Sequence, residues 1–242
     1  MRVPRFYQDC PISVNTTLNL DDSAVQHVAR VLRMKSGEAI SLFNGDGNEY
    51  QGQLLDVAKR AVSVKISACT SPVRGSRLKV LIGQSISRGE RMDYAVQKST
   101  ELGMTSMTPL ISERTEVKLK ADRLTKRQQH WQQLAISACE QSLRNELPVI
   151  HPPCSLQQWL DNCSADIKLV LHHHSEKSLD EYSQPSSVAL LVGPEGGLSE
   201  DEVAAAIAAG FHPVAFGPRV MRTETAPVAA QAILQYLWGD LN

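Results

Sequence analysis

The sequence has no CxxC pair, and its five cysteines, Cys10, Cys69, Cys139, Cys154 and Cys163, are odd in number. That spacing gives no basis for a disulfide framework or a cysteine-built zinc site, and structural, reduced thiols are expected. No stretch of about 18 unbroken apolar residues occurs, and the opening MRVPRFYQDC is charged from its second residue and lacks an apolar signal core. A membrane span and a secretory leader are therefore not expected, which points to the cytoplasm. Internal repeats and low-complexity tracts are also missing. What is present is ample for a packed core: 242 residues, 42% of them hydrophobic, enough for one large domain or two smaller ones.

The formal net charge of -1 conceals an asymmetry. Residues 1–130 hold 20 Lys+Arg against 13 Asp+Glu, a net of +7, and the rest hold 5 against 13, a net of -8. A basic front half fits a polyanionic partner, because phosphate neutralisation supplies most non-specific nucleic-acid affinity. Two solvated surfaces of different sign are the plain alternative.

Organisation changes along the chain. Residues 1–70 are short, β-rich and punctuated: VSVKISA alternates apolar and polar, a GDG turn separates two strand-like runs, and one helix, DSAVQHVARVLRM, interrupts them. This reads as a small β-barrel or sandwich. TSPVRGSR, with the composition of a hinge, supplies a linker over 71–77. From residue 78 to 242 strand and helix alternate, LKVLIGQS, SMTPLIS, DIKLVLH, VALLV and HPVAF being the strands. In GERMDYAVQKSTELG, Met92, Ala95, Val96, Ser99 and Leu102 share a helical face that Gly103 can end. The expectation is an α/β domain with a largely parallel sheet covered on both faces.

Two strand-to-helix turns carry the chemistry. LLVGPEGGLSEDE puts GPEGGL after a buried strand, and Ser199 with Glu202 forms a capping box for the next helix. The turn lacks the Lys-Ser/Thr of a P-loop and is not GxGxxG. Glu195 inside it opposes phosphate, so a neutral or cationic ligand is expected. The next unit, HPVAFGPRVMRTETAPVAAQAILQYLW, has a ten-residue turn and Pro227 in the first turn of its helix. Parallel sheets bind ligands at the C-terminal ends of their strands, and here two consecutive strands end in Gly-Pro turns. In ordinary Rossmann folds the glycine loop follows an early strand, so a different topology is implied.

GPEGGLSEDE and FGPRVMRTETA, preceded by YAVQKSTELGMTSMTPLISERTEVK and ACEQSLRNELP, closely resemble the bacterial RsmE family. MRVPRFY and HVARVLRMKSGE match as well, so the likeness covers nearly the whole chain. Met221 stands where leucine is more usual in the family. These are SPOUT-class enzymes that methylate N3 of one uridine in 16S ribosomal RNA with S-adenosylmethionine. The resemblance implies a C-terminal trefoil knot, an exception to un-knotted chains, and a bent cofactor bound within it. It also implies a homodimer that completes the site, a PUA-like RNA-binding barrel at the N-terminus, and 16S rRNA or the small ribosomal subunit as partner.

The same resemblance implies three cofactor loops. The first holds Leu171 and His172. The second holds Val192, Gly193, Pro194, Glu195, Gly196 and Gly197, and the third Phe216, Gly217, Val220 and Met221. The glycines suit this, because without Cβ atoms they let backbone approach the adenine. Arg222 is the candidate for stabilising charge on the uridine or orienting it, and Glu224 for accepting the N3 proton. An ion pair of Arg222 with Glu224 or Glu195 is the structural alternative. Arg5, Arg30 and Arg33 are phosphate candidates in the N-terminal domain, with a solvated helix face as the alternative; Lys98 and Arg114 are candidates in the C-terminal one, with salt bridges to Glu101 or Glu113 as the alternative. No metal site is expected, since adjacent residues such as His172, His173 and His174 point to alternate sides of an extended segment. Cys139 reads as core.

Overall fold

The structure, a computed structural model, describes residues 3–116, 121–172, 179 and 182–242, so His173 and His174 lie outside the described residues. The chain divides into two compact units, Met1–Gly75 with Cys139–Leu147, and Ser76–Ala138 with Pro148–Asn242.

The first unit is a five-stranded sheet. Its elements are β1 (Arg5–Tyr7), β2 (Thr17–Asn19), α1 (Asp22–Gln26), β3 (Ala39–Phe43), β4 (Glu49–Val57) and β5 (Val62–Thr70), in sheet order β1-β3-β4-β5-β2. Only the β1–β3 pair is parallel. Strands β4 and β5 alternate buried and exposed residues, which sends Leu54, Val64 and Ile66 to one core with Phe6, Val28, Ile40 and Leu42. Each such side chain contributes on the order of 1.5–3 kcal/mol by burial. The helix expected over DSAVQHVARVLRM is a single α-turn, N-capped by the Asp21 side chain, followed by a π-helical turn at His27–Val31. The amide of Leu32 donates to His27 O, five residues back, so a 3.6-residue period fails there.

The segment 139–147 belongs to this first unit because Arg5 holds it. The Arg5 guanidinium is buried over the Phe43 ring and donates to Cys139 O at 2.7 Å, Arg144 O at 2.6 Å and the Asn145 side chain. Tyr7 N donates to Glu140 Oε1 at 3.0 Å beside it.

The second unit contains β6 (Lys79–Ser85), α2 (Glu90–Glu101), β7 (Ser106–Ile111), α3 (Ala121–Ser142, whose last turn counts with the first unit), β8 (Val149–Ile150) and β9 (Cys154–Ser155). It continues with α4 (Leu156–Asn162), β10 (Ile167–Leu171), β11 (Ser187–Val192), α5 (Glu200–Ala208), β12 (His212–Val214) and α6 (Thr225–Trp238). The strand order is β12-β10-β11-β6-β7-β8, with β9 also on β7, and every pairing is parallel.

Alternation divides each central strand between two cores. Val188, Leu190 and Val192 face one that includes Met92, Val96, Trp131 and Leu234, and Ala189 and Leu191 face another with Trp159, Leu160, Ala206 and Phe211. Both faces of the sheet are thus covered by helices, as its apolar strands require. Consequently the strand ends are left open to a ligand.

Candidate active site

Strands β10, β11 and β12 end at one cavity of about 590 Å³. Its lining brings together Leu171 and His172 from the end of β10, the whole run Val192–Gly197, and Phe216, Gly217, Val220 and Met221. Arg222 and Glu224, the two candidates for the chemistry, line it too, as does Arg114.

The glycine turn folds as its residues dictate. Gly197 takes φ +69, a conformation L side chains rarely adopt, and its amide closes the turn onto Pro194 O at 2.9 Å. A Cβ on Gly193 would come within 3.1 Å of Leu198. Ser199 and Glu202 then form the reciprocal capping box that launches α5.

Two neighbouring loops brace this turn. After β6, the Arg88 amide at 3.0 Å and Arg91 Nη1 at 2.9 Å both donate to Glu195 Oε1. After β7, Arg114 Nη1 donates to Gly196 O at 3.0 Å, and the Glu113 amide to Glu202 Oε1 at 2.7 Å. Burial by itself raises the Glu195 carboxyl's pKa. The hydrogen bonds from the Arg88 amide and its own backbone, with Arg91, outweigh that and hold it below the usual value. Glu195, read as a cofactor residue, therefore has its carboxylate committed to the brace. Arg114, read as a phosphate contact, spends one guanidinium nitrogen on the turn.

The connector from β12 to α6 returns across the ends of β10 and β11. Its residue Thr223 donates to Gly193 O at 2.8 Å and accepts from Gln84 Nε2, at the end of β6, at 3.1 Å. Neither alternative ion pair of Arg222 forms: Glu195 is taken by Arg91, and the exposed Arg222 has no ion pair among the described residues. Glu224 Oε2 is buried and, among the described residues, without a hydrogen-bond partner. An uncommitted carboxylate oxygen in a cavity that also has apolar walls, Leu171, Val192, Leu198, Val214 and Phe216, suits a ligand carrying positive charge on an apolar body.

The remaining candidates fall elsewhere. Arg5 is not available to phosphate, because burial and its three acceptors turn it inward, and desolvation pulls its pKa to about 10. Arg30 and Arg33 are exposed on the first unit, Arg33 with φ +52. Lys98 pairs with Glu101 at 2.7 Å, one turn along α2. Cys139 is buried. Among the described residues no group of acidic, cysteine or histidine side chains could hold a metal ion. The sequence reading missed Arg91, Leu198, Val214, Arg219 and Thr223. Arg219 and Thr223 lie inside the GPRVMRTETA turn, where no local pattern marks which side chains face the cavity.

Comparison with known proteins gives this geometry its family. An RNA methyltransferase domain model matches residues 74–235, and an RNA methyltransferase PUA domain model matches residues 20–67. A ribosomal RNA small subunit methyltransferase E from Buchnera aphidicola is 33% identical over all of this chain and 99% of its own. A Legionella pneumophila methyltransferase solved with bound SAM superposes with a TM-score of 0.97 at 42% identity, covering 100% of both chains. A ribosomal RNA small subunit methyltransferase E from Neisseria gonorrhoeae, bound to S-adenosyl methionine, gives 0.94 at 40% identity, again over 100% of both. This chain belongs to the ribosomal RNA small subunit methyltransferase E family.

Proposed function

We propose that this protein transfers a methyl group from S-adenosylmethionine to N3 of one uridine in the 16S RNA of the small ribosomal subunit. The observation that carries the reading is a cavity at the ends of β10, β11 and β12 that gathers both Gly-Pro turns with Arg222 and Glu224. Its fit to the cofactor is chemical: glycine backbone and apolar walls suit an adenine, and two of the lining arginines, Arg91 and Arg114, are already bonded to the glycine turn.

S-adenosylmethionine supplies the activated methyl group. The chain's part is to align the uridine and manage the proton on N3. Arg222, exposed at the cavity and free of ion pairs among the described residues, stabilises negative charge on the base carbonyls. Glu224 presents a buried oxygen that no donor among the described residues occupies, and it accepts the N3 proton directly or through water. Arg30 and Arg33 on the PUA-like domain, proposed as residues 1–70 joined by 71–77 to the catalytic domain 78–242, hold RNA phosphate. Lys98 and Arg114 have salt-bridge or turn-bracing partners and contribute less.

A homodimer fits the C-terminal helix. Ile233, Tyr236 and Leu237 are exposed at helical spacing on one face of α6, with Leu241 beyond it. A knotted connector fits the return of 215–224 from the sheet edge to Gln84. Among the described residues no helix is long and apolar enough to cross a membrane, in keeping with work on ribosomes in the cytoplasm.

The test is methyl transfer from labelled S-adenosylmethionine to small subunits lacking the modification, with naked 16S RNA in parallel. A methyl on N3 blocks base pairing, so one new reverse-transcription stop at one uridine is expected. Cofactor binding with no labelled RNA would remove the RNA assignment, and no cofactor binding would remove the whole reading.

A further inference from the structure

Thr223 sits between two walls of the cavity and bonds its own connector to the glycine turn. It is 7% exposed, and behind it Gln84 is fully buried. The hydroxyl has one proton, and Gly193 O at 2.8 Å can only accept, so that proton goes there. Thr223 must then accept from Gln84, whose Nε2 lies at 3.1 Å. The amide cannot be reversed, because its nitrogen also donates to Ser85 O at 3.2 Å, another pure acceptor. Donors and acceptors thus run in one direction only, from Gln84 through Thr223 to Gly193.

The position of this relay gives it a consequence. Gly193 opens the glycine turn, and Thr223 lies between Arg222 and Glu224 on the connector. Fixing one to the other sets the spacing of the two walls. The Gln84 oxygen is left buried without a partner among the described residues, so this side chain is kept here at a cost in hydrogen bonding. Its amide protons are what the site uses.

We infer that Thr223 is a positioning residue for the cofactor site, its hydroxyl, oriented by Gln84, locking the glycine turn to the segment that carries Arg222 and Glu224. The inference rests on the function proposed above and concerns affinity for S-adenosylmethionine, not the methyl-transfer step itself. Thr223→Val keeps the shape and removes the hydroxyl. Thr223→Ser keeps the hydroxyl. Gln84→Met keeps the length of the side chain behind it and removes the donor.

The experiment measures S-adenosylmethionine binding to the full-length protein by calorimetry, with melting temperatures recorded without cofactor. Thr223→Val should weaken binding about tenfold, as expected when the hydroxyl's bonds to Gly193 and Gln84 are lost together, and Thr223→Ser should restore it to within about twofold. Gln84→Met should fall between, at about threefold, because the hydroxyl keeps Gly193 but loses its orientation. In turnover, the KM for the cofactor should rise while kcat at saturation stays within about threefold. Wild-type affinity in Thr223→Val overturns the inference, as does an equal loss in Thr223→Ser. If Thr223→Val does not fold, wild-type affinity in Gln84→Met overturns it instead. A wild-type protein that does not bind the cofactor fails the functional reading as well, which separates the two.

Discussion

Arg91 and Glu195 meet at 2.9 Å, and the same carboxylate oxygen also accepts the Arg88 amide. The loop after β6 is therefore tied to the glycine turn through one atom. Because the folded-state pKa of Glu195 is depressed, its contribution to stability is full above the unfolded value, about 4.3, and is lost as pH falls through the lower folded value. Glu195→Gln keeps an acceptor and removes the charge. At neutral pH it should melt about 2–4 °C below the wild type, a modest gap because the pair is partly solvated. That gap should shrink as pH falls below the unfolded value and close once the carboxyl is protonated in the folded state too. Melting curves of the two proteins from acid to neutral pH check this, and a gap independent of pH would remove the assigned role.

Arg222 and Glu224 should separate binding from chemistry. Arg222→Ala is expected to lower kcat about a hundredfold, the scale of losing one charge-stabilising donor, with cofactor affinity unchanged to within about twofold. Glu224→Gln should lower kcat by a similar factor and at the same time raise the melting temperature. The gain follows because a carboxylate oxygen buried without a donor is a standing cost that an uncharged amide reduces. Activity and thermal denaturation measured on the same preparations test both statements; a Glu224→Gln protein that loses stability would show its carboxylate to be a structural group.

Local signals made part of this site legible. Ser199 and Glu202 spell their capping box within four residues, and the glycines mark the turn before it, so the strand-to-helix turn could be read directly. The parallel sheet was equally plain from its apolar strands. What could not be read depended on partners far along the chain. Arg5 looks like a surface cation until its acceptors appear 134 to 140 residues later. Thr223 is a small polar residue in a charged turn, and only folding brings Gly193 and Gln84 to it. Helix α3 gives no sign that its last turn joins another unit, because one unbroken periodicity runs through it.

Gly83 illustrates a constraint of packing. It lies in β6, and a Cβ there would come within 2.6 Å of the Trp159 ring from α4. The indole has little room to yield, being only 9% exposed among Leu160, Leu191 and Phe211. Gly83→Ala should cost about 1–3 kcal/mol through overpacking. Adding Trp159→Leu should recover part of that loss, a non-additivity readable by urea denaturation of the two single variants and the double. Strict additivity would mean that the ring is not the obstacle.

The arginines of the N-terminal unit should respond in opposite ways to two measurements. Arg5→Met removes the donor to two carbonyls and the Asn145 side chain inside the fold, and a cost of about 3 kcal/mol is expected. Its effect on RNA binding at a temperature where the variant stays folded should leave the salt dependence unchanged. Arg30→Gln with Arg33→Asn should do the reverse, since both side chains are exposed and asparagine tolerates the φ of +52 at position 33. Stability should hardly move, and the slope of log affinity against log salt should fall by about 1.5–2, one neutralised phosphate for each lost charge. The salt slope is the decisive reading here, because affinity at one salt concentration cannot separate a lost phosphate contact from a disturbed fold. An unchanged slope in the double variant would take both arginines out of the RNA interface and leave the basic character of the front half without an assigned partner.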